Sequence, residues 1–384
     1  MNSITRRAFV QAGVAATLAS GASVAAAERA PGRAAASSRV DFTGDGVPLS
    51  AAEYAQLLAR LTTSATELDE YSRGGPVTAL ERQFATLLGK EAAVFMPSGT
   101  LANHLAVRAL AGGRRRVVVQ ERSHFYNDSG DCAEQLSQLT LLPLAPDKAT
   151  FTWDDVSAEL ARAAGGRVLT EIGAISIESP VRRCSHAMFD FATMQQISSE
   201  ARQRGIGLHL DGARLFVAAA YSGRALADYT NLFDTVYVSL WKCFNSANGA
   251  ILAGPHALID NMYQARRMFG GAMRHAWPDA LVAGHYADGY LERLRAAVAT
   301  SEQVWTALAA DPHFAVERIP GGTSALRISV KDVAPAEYQA RLARLGVQLP
   351  DAQAGVFTLH VNETAGWMAA AKLEQAFKTA LAPG

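Results

Sequence analysis

From residue 79 onward the apolar positions switch repeatedly between a helical and a strand period. Residues 79–89 carry apolar side chains at helical spacing and stop at Gly89, a residue suited to the left-handed turn after a helix. Residues 92–96 are an unbroken apolar run, which predicts a short buried strand; Pro97-Ser98-Gly99-Thr100 follows, then a helix over 101–110. Apolar, β-rich runs recur at 116–119, 139–144, 174–177, 207–210, 235–240 and 250–253, separated in several places by helical segments such as 191–204. This alternation predicts an α/β fold with a mostly parallel sheet covered by helices.

After about residue 284 the texture changes. A long helix over 287–308 leads to a strand at 324–330, a helix at 335–345 with Pro335 in its first turn, a strand at 355–361 and a last helix at 365–381. Proline is tolerated at that first-turn position. Helices followed by short strands predict a smaller α+β domain. The expected organisation is therefore a large domain over 62–284, with 39–61 and 285–384 forming the small one.

The first residues read as an address. Arg6 and Arg7 precede a weakly apolar, alanine-rich stretch that ends in Val24-Ala25-Ala26-Ala27, the arrangement of a twin-arginine export signal over residues 1–28. Residues 29–38 then form a flexible lead-in. Gly13, Ser20, Gly21 and Ser23 dilute the stretch, and no other segment approaches the ~20 apolar residues of a membrane-spanning helix. The expected mature protein lies outside the cytoplasm, in the periplasm where there is one, with no membrane contact once the signal is removed.

Composition narrows the function. The 384 residues balance 36 basic against 36 acidic side chains, and 49% are hydrophobic, so the chain is globular and nucleic acid is not its expected partner. The run Arg114-Arg115-Arg116 follows Gly112-Gly113 and reads as a solvated turn. Cys132, Cys184 and Cys243 are too few and too scattered for a disulfide scaffold or a zinc site. No metal is expected.

Four features carry candidate chemistry. Of six lysines, five lie in helix ends or polar turns, whereas Lys242 closes the apolar run 235–241. Such a lysine can simply end a strand by reaching solvent, but an amine in an apolar setting also has the lowered pKa that a Schiff-base lysine needs. Asp211, within His209-Leu210-Asp211-Gly212-Ala213-Arg214, stands at the carboxyl end of a strand, where ligands of parallel sheets gather; it could equally cap the next helix. Ser98-Gly99-Thr100 opens a helix, a place that favours phosphate and is also ordinary capping. His124 follows the strand at 116–119. Together, a phosphate loop, a ring-facing histidine, a strand-end aspartate and a strand-end lysine are what pyridoxal phosphate requires.

Asp69-Glu70-Tyr71, Ala79-Leu80-Glu81, Gly89-Lys90-Glu91-Ala92, Pro97-Ser98-Gly99-Thr100 with Asn103, His124, residues 209–216, Lys242 and Gly270-Gly271-Ala272-Met273-Arg274 resemble the threonine aldolase family, of the β-eliminating lyase group and the fold-type-I pyridoxal-phosphate enzymes. The resemblance covers about 40–285. It implies that Lys242 bonds the cofactor, Asp211 pairs with its pyridinium nitrogen and His124 stacks on the ring and assists proton transfer. It further implies that Ser98, Gly99 and Thr100 hold the phosphate, with Arg274 from a neighbouring subunit, and that Arg214 grips the substrate carboxylate. The implied reaction is retro-aldol cleavage of a β-hydroxy-α-amino acid to glycine and an aldehyde, by a homo-oligomer, dimer or tetramer. Two alternatives stand beside it: β-elimination on the same scaffold, and an exported cofactor- or amino-acid-binding protein without turnover.

The chain departs from the family pattern around the substrate. Cys243-Phe244-Asn245 replaces glycines after the lysine, Glu178-Ser179-Pro180-Val181 replaces Glu-Asn-Thr-His, and Gly44-Asp45-Gly46 replaces Ser-Asp-Thr. Val356-Phe357 stand where a second carboxylate-binding arginine is expected. Arg327 and Arg182 are the candidate substitutes.

Overall fold

A computed structural model of the protein describes residues 39–382; the expected export signal and the lead-in lie outside them. Among the described residues the strands are, in chain order, Val40–Asp41 (β1), Ala92–Met96 (β2), Arg116–Gln120 (β3), Thr140–Leu144 (β4), Ile172–Glu178 (β5), Gly207–Asp211 (β6), Thr235–Ser239 (β7), Ala250–Gly254 (β8), Phe314–Arg318 (β9), Ala325–Val330 (β10), Val347–Gln348 (β11) and Val356–His360 (β12).

Seven of them form one sheet in the order β2-β8-β7-β6-β5-β3-β4. Every pairing in it is parallel except those of β8 with β2 and β7. All seven residues of β5 and all five of β7 and β8 are buried, as strands covered on both faces must be. The helices Phe191–Gln203 and Leu215–Ser222 carry the chain from β5 to β6 and from β6 toward β7. The result is the expected α/β fold with a mostly parallel sheet.

Register does more for the site than topology does. Glu178 is the Cα partner of Asp211, and Asp211 is the partner of Tyr237. Three neighbouring strands therefore deliver three polar side chains side by side at the carboxyl edge of the sheet.

C-terminal to this sheet, β9, β10 and β12 form an antiparallel sheet in the order β12-β10-β9. β1 pairs in parallel with β11, Val40 opposite Val347. Phe42 packs on Trp305 with ring centroids 5.4 Å apart, and Trp305 on Phe377 at 5.7 Å. These contacts fix the N-terminal segment against the C-terminal elements.

Helix ends differ from the sequence pattern where backbone conformation overrides apolar spacing. The expected helix 287–308 begins at Tyr290, because Gly289 takes a left-handed conformation (φ +59°) and separates it from the helix Trp277–Ala287. The expected helix 365–381 divides into a 3-10 turn, Glu363–Trp367, and a helix, Ala370–Thr379. The helix Ala51–Leu61 adds to the expected elements; Ser50 caps it and Glu53 closes the capping box, satisfying two otherwise orphaned N–H groups.

Candidate active site

The chain turns directly from β7 into a one-turn helix, Leu240–Cys243, that carries Lys242. The next residue, Phe244, is fully buried and packs edge-on against Phe84 (5.1 Å) and Phe216 (5.0 Å), with Tyr290 5.0 Å away. This aromatic anchor fixes the backbone beside the lysine. Lys242 itself is 9% exposed. Burial, reinforced by the Arg214 charge, holds its amine below the ordinary lysine range, with Asp211 and Asp45 pulling the other way. Cys243 is buried, and that burial pushes its thiol up to about 12, so it is packing, not a nucleophile.

Asp211 ends β6. Its Oδ2 accepts from Asn103 Nδ2 at 2.6 Å and its Oδ1 from the Ala213 N–H at 3.1 Å. Because Asn103 spends its amide on the carboxylate, its Oδ1 faces His209 Nε2 at 2.8 Å, and His209 Nδ1 meets Thr235 Oγ1 at 2.9 Å. Burial keeps His209 at about 4, so the ring is neutral and donates through Nε2. A chain of neutral groups thus orients an anion at the strand end.

His124 opens a one-turn helix whose cap is Ser123. Its N–H donates to Glu178 Oε2 at 2.6 Å, and the Arg182 N–H donates to Oε1 at 2.9 Å. Gln120 braces Glu178 through both of its backbone groups. Burial first, and then the nearby Asp211, push the Glu178 carboxyl up to about 7. His124 Nδ1 is buried without a partner among the described residues, and burial lowers the ring's basicity.

Ser98 caps the helix Gly99–Ala111, accepting from the Leu101 N–H at 3.2 Å. The first-turn N–H groups of Gly99 and Thr100 have no intrahelical acceptor. A Cβ at Gly99 would stand 2.0 Å from the Tyr237 hydroxyl, so only glycine lets this turn approach the strand edge. Arg214 is buried and forms a two-pronged ion pair with Asp45, Nε to Oδ1 at 2.8 Å and Nη2 to Oδ2 at 2.7 Å. Burial opposes the Asp45 charge, but Arg214 outweighs it and holds the carboxyl at about 2.

His124, Glu178, Arg182, Asp211, Ala213, Arg214, Tyr237 and Lys242 line one cavity. The structure therefore brings together Lys242, Asp211, His124 and Arg214, with Gly99, between Ser98 and Thr100, close to the cavity-lining Tyr237. Two expected residues stand apart. Arg274 is exposed, pairs with Glu70 and lies outside this cavity. Arg327 lies outside this cavity: on β10 its neighbours Leu326 and Ile328 face the core, and Arg327 faces away and pairs with Glu317. Arg182 does line the cavity, its guanidinium held by Asp128.

Sequence reasoning gave no role to Tyr237 or Glu178. The readable signal for both was their position, each at or near a strand end in a sheet whose neighbour ends in Asp211.

The cavity suits pyridoxal phosphate on its donor set. It offers a buried amine, a braced carboxylate, a histidine with an orphaned ring nitrogen, and a glycine turn that a Cβ would fill. Comparison with known proteins agrees. The chain is 31% identical over 225 residues to aldolase vrtJ of Penicillium aethiopicum, covering 58% of this chain and 56% of that one. It is 27% identical over 208 residues to the low specificity L-threonine aldolase of Saccharomyces cerevisiae, covering 54% and 53%. The chain thus spans little more than half the length of these curated relatives. A crystal structure of a putative L-allo-threonine aldolase from Listeria monocytogenes superposes with a TM-score of 0.70 at 26% identity, covering 89% of this chain and 95% of that one. Threonine aldolases and β-eliminating lyases depend on pyridoxal phosphate. Residues 50–345 match the beta-eliminating lyase family, and the chain belongs to that family.

Proposed function

We propose that the protein is a pyridoxal-phosphate-dependent carbon–carbon lyase that cleaves a β-hydroxy-α-amino acid of the threonine type to glycine and an aldehyde. The observation that carries this reading is the convergence of Asp211 and Lys242, from the ends of adjacent strands, on one cavity that also holds His124 and Arg214. The bound cofactor supplies an electron sink for the bond broken at Cα.

The chain's own residues do the rest. Lys242, its amine made less basic by burial, would hold the cofactor through its aldehyde. Asp211, oriented by Asn103, would pair with the pyridine nitrogen and favour its protonated form. His124 would pack against the cofactor ring, with Glu178 fixing its backbone. The open N–H groups of Gly99 and Thr100, after Ser98, take the phosphate with the dipole of their helix. Arg214 presents a planar fork to the α-carboxylate. Its grip would orient the amino acid in the cavity.

The visible spectrum of the full chain with pyridoxal phosphate tests the reading. A cofactor band present in the wild type and lost in Lys242→Ala, with glycine and aldehyde formed from threonine or phenylserine, is the expected result. Pyruvate and ammonia in place of glycine would move the assignment to β-elimination. A band without turnover would make the protein a cofactor-binding sensor, and no band would sink the cofactor assignment.

The same reading includes export by the twin-arginine signal at residues 1–28 to the periplasm. That route carries folded proteins, so cofactor can be loaded first. It also includes a homo-oligomer, dimer or tetramer, in which Arg274 reaches a neighbour's phosphate site. Fractionation of tagged full-length protein, and sedimentation of the mature form, test these two parts.

A further inference from the structure

Three segments far apart in sequence meet beside Arg214. Asp45 comes from the turn after β1, His186 from the segment after β5 and His360 from the end of β12. One oxygen or nitrogen of each lies within 4.8 Å of the other two. The imidazoles are 4.8 Å apart, centroid to centroid. His186 Nδ1 shares a hydrogen bond with Ser324 Oγ at 2.9 Å, and its carbonyl accepts from Thr323 Oγ1 at 2.8 Å. His360 Nδ1 is buried without a partner among the described residues.

A cation is a poor occupant of this cluster. Both Asp45 oxygens already face the Arg214 guanidinium, so a divalent ion would add two positive charges to a neutral buried pair. The groups fit proton transfer better.

We infer that Asp45 is a shared anion, and that the His186–His360 pair takes the β-hydroxyl proton once substrate has released Asp45 from Arg214. This rests on the lyase reading of the cavity. In the resting protein Asp45 fills the fork that a substrate α-carboxylate needs. When that carboxylate takes the fork, the aspartate charge is set free within reach of the two rings. The groups facing His186 are then Asp45 from the N-terminal segment, Arg214 from the β6 turn, Lys242 after β7 and His360 on β12. Burial first, then Arg214, holds His186 at about 3 in the resting state, while Asp45 pulls it up. A seated substrate carboxylate would neutralise Arg214 while Asp45 stays beside the ring, which raises the ring's basicity above its resting level.

The step balances. The β-hydroxyl proton moves to an imidazole nitrogen, the Cα–Cβ bond breaks, and a carbonyl forms on the departing aldehyde. The bonding pair stays on Cα, which takes one proton to become glycine while the imidazolium gives one back to solvent.

The test compares two reactions of the cofactor-loaded protein, with ligand binding read independently. Glycine exchanges its α-hydrogen with deuterated water, followed by proton NMR, and needs no hydroxyl base; aldol cleavage does. His186→Asn keeps a polar atom for Ser324 and removes Nε2. It is expected to lower cleavage at least ~100-fold, the usual worth of a positioned base, with glycine exchange changed by less than ~3-fold. His360→Gln is expected to act in the same direction. Asp45→Asn removes the charge that competes for the fork, so alanine, titrated by its change in the cofactor spectrum, should bind more tightly while kcat for cleavage falls. Equal losses of cleavage and exchange in His186→Asn, or an unchanged kcat in Asp45→Asn, would overturn the inference. Failure of the lyase reading looks different, since the wild type would then yield no glycine.

Discussion

The Asn103 amide donates to Asp211 Oδ2 at 2.6 Å, and its carbonyl side is occupied by His209. Three side chains from three elements, Asn103, His209 and Thr235, thus commit to one carboxylate. Removing Asn103 deletes a charge-assisted hydrogen bond at a buried anion, worth roughly 1.5–3 kcal/mol. Asn103→Ala is therefore expected to keep the cofactor but to lower turnover roughly 10- to 100-fold. Steady-state kinetics at saturating cofactor check this; an unchanged kcat would mean that Asp211 needs no brace.

Gly99 is expected to be intolerant of any side chain. Its Cβ would lie 2.0 Å from the Tyr237 hydroxyl and 2.4 Å from the ring carbon that bears it, and Tyr237 is held in a fully buried strand. In Gly99→Ala either the turn or the tyrosine must move. Cofactor affinity should fall by roughly tenfold or more, the effect of about 1.4 kcal/mol, and Tyr237→Phe in the same background should recover part of it. Titration of the visible band reads both. Wild-type affinity in Gly99→Ala would show that the turn does not depend on this approach.

Much of this was legible in the chain. Period and apolar runs announced the mostly parallel sheet, and Lys242 and Asp211 stood out because each closes a buried strand with a charged group. Glu178 and Tyr237 were harder to read, because their roles come from register: only pairing with Asp211 reveals that three strand ends coincide. Asp45, His186 and His360 were less legible still, since they converge from positions as far apart as 315 residues (360 − 45). Arg327 was hard to place for a different reason. An arginine on a strand has two faces to choose from, and the burial of Leu326 and Ile328 decides for solvent.

Acid should unfold the protein through its buried histidines. Burial holds His209 and His104 at about 4 and His186 at about 3, against an ordinary value of 6.5. Between those values the unfolded chain binds protons that the native chain refuses, so stability is complete above about pH 6.5 and falls as pH drops toward 4. Each fully buried ring can contribute on the order of 3 kcal/mol to that loss. Glu178 has the opposite sign: raised to about 7, it favours the native state at low pH and offsets part of the loss caused by the histidines. Denaturant melts of His209→Gln between pH 7 and 4 should show a shallower decline than wild type. Parallel curves would remove His209 from the account.

The Asp45–Arg214 pair makes a prediction in which stability and activity separate. Both partners are nearly enclosed, with side-chain exposures of 13% and 7%, so deleting one leaves an uncompensated buried charge, a loss of about 3–5 kcal/mol. Arg214→Ala should therefore unfold at clearly lower denaturant than wild type. Asp45→Asn, Arg214→Ala, in which no charge is left behind, should regain much of the difference. Arg214→Lys keeps the charge but loses the planar fork. It is expected to remain near wild-type stability while KM for the amino acid rises. If the double variant is as unstable as Arg214→Ala, the loss lies in packing of the arginine stem, and the fork is then defined by shape more than by charge.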